Sequence, residues 1–235
     1  MKKSSTELKS IAKQTLMGRY ALPMGAYALT FLISFTFNMV IAFTFPGITP
    51  VILILSSLCS LIISLLFNIL SAGMYSLILN LCRNKEYSLN NLLFGFTHQP
   101  NRIILLGILI TIITIACSLP GIIILIIGPV SAVPIIELIG ILFLLAGLIF
   151  SIILLLDFSQ VFFIYLDNPE KKVLQIMRES RELMRGNKGR LFYLQISFIG
   201  LSLLAILSCY IGLLWVEPYA QCTYTLFYMN LLGEI

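Results

Sequence analysis

Few residues in this chain carry groups able to do chemistry, and they are widely spaced. Asp157 interrupts an apolar run, with Ile152–Leu156 before it and Phe158 after it. An ionisable side chain in such a run is costly in a bilayer, and it commonly lines a pathway or pairs with a buried partner. That makes Asp157 the candidate ligand-binding residue. Asp167 follows at a helical distance of about 15 Å, so Asp157 also fits the inner headgroup zone. Glu137 and Glu217 are expected at the outer face. Asn38, Asn68 and Asn80 lie in apolar stretches, where an amide usually bonds a neighbouring helix.

The single histidine, His98, sits in the loop Phe96-Thr-His-Gln-Pro100, with no second histidine and no nearby cysteine at metal-ligand spacing. Cys59, Cys82, Cys117, Cys209 and Cys222 form no CxxC pair and read as small apolar side chains. No nucleotide loop, zinc helix or nucleophile elbow is present in the sequence. Gly18-Arg19-Tyr20 and Gly186-Asn-Lys-Gly189 set glycine beside basic residues, a pattern able to grip a phosphate. A helix stop near a membrane surface accounts for both more simply. The inventory predicts no enzyme, no catalytic residue, no cofactor and no metal.

The elements that must hold these residues follow from composition. Of 235 residues, 59% are hydrophobic and 11% charged, with a mean hydropathy of +1.02. Soluble domains run at about 45–50% and 25%. So few charges cannot cover a core of this size, and the composition demands an integral membrane protein. All Lys and Arg residues fall within 1–20, 83–102 and 170–190, which together are ten positive charges in excess. The remaining acids, Glu137, Asp157, Asp167, Glu217 and Glu234, bring the formal charge to +5. Lys and Arg are retained on the cytoplasmic side during insertion, so these are three cytoplasmic segments joined by even numbers of crossings. The charge favours anionic lipid headgroups and, with no binding motif beside it, not nucleic acid.

A crossing needs roughly 20 apolar residues. Ala21–Phe45 and Val51–Leu81 supply two, separated by Pro46-Gly47 and Pro50 as an outer turn. Residues 103–127 and 135–166 supply two more. Leu191–Leu232 admits one span plus a surface helix, or two short spans. The first twenty residues are polar and lead into a full-length span, which is the pattern of a retained anchor rather than a cleaved signal.

Each basic segment reads as a short amphipathic helix leading into a hairpin. The first is Ser4–Met17, with Ser4 and Glu7 at capping-box spacing. The second is Ser88–Phe96. The third starts at Asn168-Pro169-Glu170 and stops at Gly186, with Val173, Ile176, Met177, Ser180 and Met184 as its apolar stripe. Arg19, Arg102 and Arg190 stand where each unit goes into the membrane. The reading is a single all-α domain over 1–235, a polytopic transmembrane helical bundle of about six spans. Residues 1–82, 83–166 and 167–235 are its internal repeat units, and both termini are cytoplasmic.

Several stretches match a family pattern in order: Leu8-Lys9 through Leu16-Met-Gly18, Leu92-Leu-Phe94-Gly-Phe96, Leu119-Pro-Gly-Ile122 and Tyr165-Leu-Asp-Asn-Pro169. Ser180 with Met184-Arg-Gly-Asn-Lys188, Ser197-Phe-Ile-Gly200, Pro218-Tyr219 and Phe227-Tyr228 follow. Together they resemble the bacterial integral membrane proteins grouped as domain of unknown function family 975. Leu201 stands where that family usually has Trp, and the apolar stretch after Pro120-Gly121 is longer. The resemblance implies a multi-pass bacterial membrane protein and carries no activity with it.

Two functions fit. One is a non-enzymatic accessory, scaffold or protective protein of the bacterial cytoplasmic membrane, working through lipid contacts and a protein partner or second copy. The other is a small transporter or permease subunit with Asp157 on its path. A polar cavity around Asp157, closed to lipid and lined by Asn or Thr, favours transport; an Asp157 that points to the headgroups or into a tight Arg pair favours the scaffold.

Overall fold

The structure is a computed structural model that describes residues 3–47, 49–131, 134–208 and 210–235. Every regular element among them is helical. Helix α1 spans Ser5–Leu16, and its start is the expected capping box. The Ser4 N–H donates to the Glu7 carboxylate at 2.6 Å, and the Glu7 N–H donates to Ser4 Oγ at 3.3 Å. The Ser4 N–H, then the Ser4 hydroxyl, as hydrogen-bond donors hold the exposed Glu7 carboxyl below its ordinary range. Leu8, Ala12 and Leu16 recur on one face and are buried. Gly18, at φ +75°, takes the left-handed conformation that turns the chain into the membrane.

Helices α2 (Ala21–Thr44) and α3 (Pro50–Cys82) form the first hairpin. Thr49 caps α3, and Pro50 stands in its first turn, where a missing N–H costs nothing. A short 3₁₀ turn, Leu89–Leu93, runs into α4 (Phe94–Thr97). The second hairpin is α5 (Pro100–Ser131) and α6 (Pro134–Asp157), whose axis breaks at Phe158–Gln160 before α7 (Val161–Asp167). The amphipathic α8 (Val173–Leu183) leads to the third hairpin, α9 (Lys188–Leu207) and α10 (Leu213–Leu232).

Among the described residues, five segments are long and apolar enough to cross a membrane: Ala21–Thr44, Pro50–Cys82, Pro100–Ile126, Ile135–Asp167 and Lys188–Leu207. This is a membrane protein. The sixth long helix, α10, is less apolar because it is internal. It buries Thr223, Thr225 and Asn230 along with Leu226, Phe227 and Tyr228. It returns the chain to the end of the bundle where it began, since the Lys3 N–H donates to Asn230 Oδ1 at 3.2 Å.

The core lies at that end. It gathers α1, the last turns of α3 from Ile69 to Cys82, the start of α5 at Ile103 and Leu106, and α7, α8 and α10. The far halves of the first two hairpins expose Phe35, Phe43, Ile62, Ile123, Leu142 and Phe150. Contiguous apolar exposure on this scale belongs against lipid.

Three local expectations change. The chain from Asn168 to Lys172 is irregular, and α8 starts at Val173. All five residues of its expected stripe are nevertheless buried. The second amphipathic segment is a 3₁₀ turn and a four-residue helix rather than one helix. Pro120-Gly121 lies inside α5 and makes no turn.

Candidate functional site

The charged end is held by side chains from all three basic segments. The Arg19 guanidinium donates to Asn84 Oδ1 at 2.7 Å. Arg102 donates to the carbonyls of Pro169 and Lys171. Arg190 donates to the Lys3 carbonyl at 2.7 Å and to Asn230 Oδ1 at 3.2 Å. Each arginine thus reaches the start of the following segment, and the third closes on the first.

Arg83 sits between two carboxylates. Its Nη1 lies 2.5 Å from Asp167 Oδ1 and its Nη2 2.6 Å from Glu234 Oε1, while Nε donates to Glu234 Oε2 at 3.0 Å. Tyr228 donates its hydroxyl to Asp167 Oδ2 at 2.7 Å. The hydrogen bonds to Asp167, then those to Glu234, hold the Arg83 guanidinium above its already high value. It is charged at every accessible pH. Lys9 lies 4.3 Å over the Phe198 ring and donates to the Ser197 carbonyl at 3.1 Å. Burial lowers its affinity for the proton.

Asp157 is 2% exposed at the C-terminal end of α6. Lys188 Nζ lies 2.7 Å from its Oδ1, and Arg181 Nε lies 3.9 Å from its Oδ2. Ser180 donates to the Asp157 carbonyl at 2.7 Å and accepts from the Gln160 N–H at 3.3 Å. The carboxylate thus lies between the C-terminus of its own helix, which repels it, and the first residue of α9, whose N-terminus and ammonium attract it. Asp157 joins α6 to α8 and α9.

His98 stacks on Phe94 at 4.3 Å, and its Nδ1 lies 2.8 Å from Thr97 Oγ1. Its carbonyl accepts from the Tyr165 hydroxyl. Cys82 and Cys222 are buried with their sulfurs 3.3 Å apart as free thiols, whereas Cys59 and Cys117 are partly exposed. Cys209 falls outside the described residues. No cluster of three metal-ligating side chains occurs among the described residues. Glu137 is in the first turn of α6, at the far end from Asp157.

Glu217 lies near the start of α10. It lines a cavity of about 700 Å³ between α2, α3 and α10. Tyr27, Phe31, Phe67 and Tyr75 supply aromatic walls, and Tyr210 and Ile211, both exposed, form the rim. Those two residues belong to the turn of the third hairpin, which therefore stops beside Leu32 and Ser34, about halfway along α2. Gln221 stands one helical turn from Glu217, and its amide Nε2 is buried with no hydrogen-bond partner. Asp157 does not line this cavity.

The sequence signal for the cavity is the spacing of Glu217 and Gln221, which sets two polar side chains one turn apart on one face of α10. The Lys188 partner of Asp157 has no such signal, because it comes from another hairpin.

Neither the curated proteins nor the solved structures contain a match to this chain. A family model described as Protein of unknown function (DUF975) matches residues 1–234, and the chain belongs to that family.

Proposed function

We propose that this chain is a non-enzymatic accessory or scaffold protein of the bacterial cytoplasmic membrane, with the charged end and both termini in the cytoplasm. The pairing of Asp157 carries the reading. The acid expected to mark a transport path is instead neutralised by Lys188 and Arg181 and holds three helices together. The excess of Lys and Arg at one end supports the orientation, and the exposed basic residues suit anionic headgroups. The circular linkage through Arg19, Arg102 and Arg190 supports a threefold repeat of helix plus hairpin. The partner in this reading is lipid together with a second copy or another membrane protein. A permease subunit is the second reading, and the cavity at Glu217 is what favours it.

Asp157→Asn separates the two. The scaffold reading expects a loss of about 1–3 kcal/mol as the Lys188 ammonium loses its ion pair, read as a lower unfolding midpoint in detergent. It also expects unchanged growth or solute flux in cells carrying the variant at normal abundance. Loss of flux or growth at unchanged abundance and stability would contradict it.

A further inference from the structure

The cavity walled by α2, α3 and α10 goes unused in the scaffold reading, and the inference drawn from it does not depend on that reading. We propose that it binds an amphiphile carrying a protonated amine, with Glu217 as the counter-charge and the aromatic walls around the ammonium.

Four observations converge. First, no Lys, Arg or His lines the cavity, and Glu217 pairs with no cation among the described residues. A carboxylate at membrane depth needs a counter-charge, and attraction between unit charges rises steeply as the dielectric falls. Glu217 is exposed to that open space without one, whereas the buried Asp157 and the half-buried Asp167 each have a cation. Second, Tyr27, Phe31, Phe67 and Tyr75 line the same space. Aromatic faces around an organic cation stabilise it through the ring quadrupole.

Third, Gln221 keeps a buried amide without a hydrogen-bond partner one turn from Glu217. Buried polar groups are rarely left so, and a polar headgroup beside Glu217 gives it one. Fourth, the volume falls within the roughly 300–1,000 Å³ of small-molecule sites. Leu32, Leu70 and Met74 supply apolar wall for an alkyl body, with Thr30, Ser34 and Ser71 as the small polar residues among them. The rim residues Tyr210 and Ile211 are exposed beside the apolar faces of α2 and α3, so in this proposal the ligand enters from the bilayer.

The test uses the full-length chain in lipid nanodiscs. Radiolabelled n-decylammonium and n-decanol, matched in chain length, are equilibrated with it, and protein-free discs are subtracted. The expected result is one saturable decylammonium site per chain. Glu217→Gln weakens that binding at least tenfold and leaves decanol binding unchanged. Ala28→Trp, which fills the cavity from α2, removes saturable binding of both. Three outcomes overturn the proposal: no binding above protein-free discs, an unchanged Kd in Glu217→Gln, or saturable binding that survives Ala28→Trp. Loss of both ligands in Glu217→Gln also counts against it, because the carboxyl would then be structural rather than a counter-charge.

Discussion

Arg83→Ala is expected to destabilise the protein by about 3–5 kcal/mol, the cost of stranding charges when one partner leaves a buried pair. Exposed ion pairs contribute about 0–1 kcal/mol, and the difference here is burial and geometry. The Arg83 side chain is 17% exposed and Asp167 20%. The guanidinium meets Asp167 and Glu234 through two nitrogens each, so four of its five N–H donors are engaged. Removing it leaves Asp167 with only the Tyr228 hydroxyl and frees the C-terminus from the end of α3. Chemical unfolding in detergent measures the loss. Arg83→Lys is expected to recover only part of it, because an ammonium cannot bridge two carboxylates in the same plane. A change below about 1 kcal/mol in Arg83→Ala would place this cluster with ordinary surface pairs.

Gly73→Ala is expected to cost about 2 kcal/mol, although the same change in an open helix gains up to about 1 kcal/mol. A Cβ on Gly73 would run into the Leu92 carbonyl, with that residue's carbonyl carbon 2.6 Å away and its Cα 2.7 Å away. Backbone cannot swing aside as a side-chain tip can, so the 3₁₀ turn must lift off α3, and overpacking of this kind costs about 1–3 kcal/mol. The contact is reciprocal. Gly95 lies against the Ile69 carbonyl, 2.5 Å from where its own Cβ would be. Gly25, in α2, has nothing within 4 Å, so Gly25→Ala is the matched control. It is expected to be neutral or stabilising. Thermal unfolding of the two variants side by side decides the matter, and equal midpoints would show that the α3 contact has slack.

Much of this architecture is legible in the sequence because it rests on patterns local to one element. The Ser4–Glu7 box and the stripe from Val173 to Met184 need only helical periodicity. The glycine in Leu92-Leu-Phe94-Gly-Phe96 stands out as a motif, but its reason is tertiary: it lets α4 approach α3. The start of α8 misleads for a similar cause. Asn168-Pro169-Glu170 has the chemistry of a helix start, yet Arg102, from a different segment, takes the carbonyls of Pro169 and Lys171 and holds that stretch irregular. Pro120-Gly121 reads as a turn by the rules of soluble chains. Within α5 it remains helical, and Gly121 serves there as a close contact with Leu144 of α6.

The cavity is the least legible feature. It arises because the third hairpin turns early, at Tyr210 with φ +67°, while α2 and α3 run on. Length alone assigns Leu191–Leu232 to two short spans but does not say what opens beside the tip. Glu217 therefore reads as an acid near an interface, when its surroundings are aromatic.

The account rests on three hairpins that each leave from and return to one charged end. The most direct test is a topology reporter fused after Ile235, in parallel with one fused before the first residue. Both are expected to report the cytoplasm. An external C-terminal reporter would contradict the third hairpin, the linkage of Arg190 to Lys3 and the joining of Glu234 to Arg83 in a single stroke.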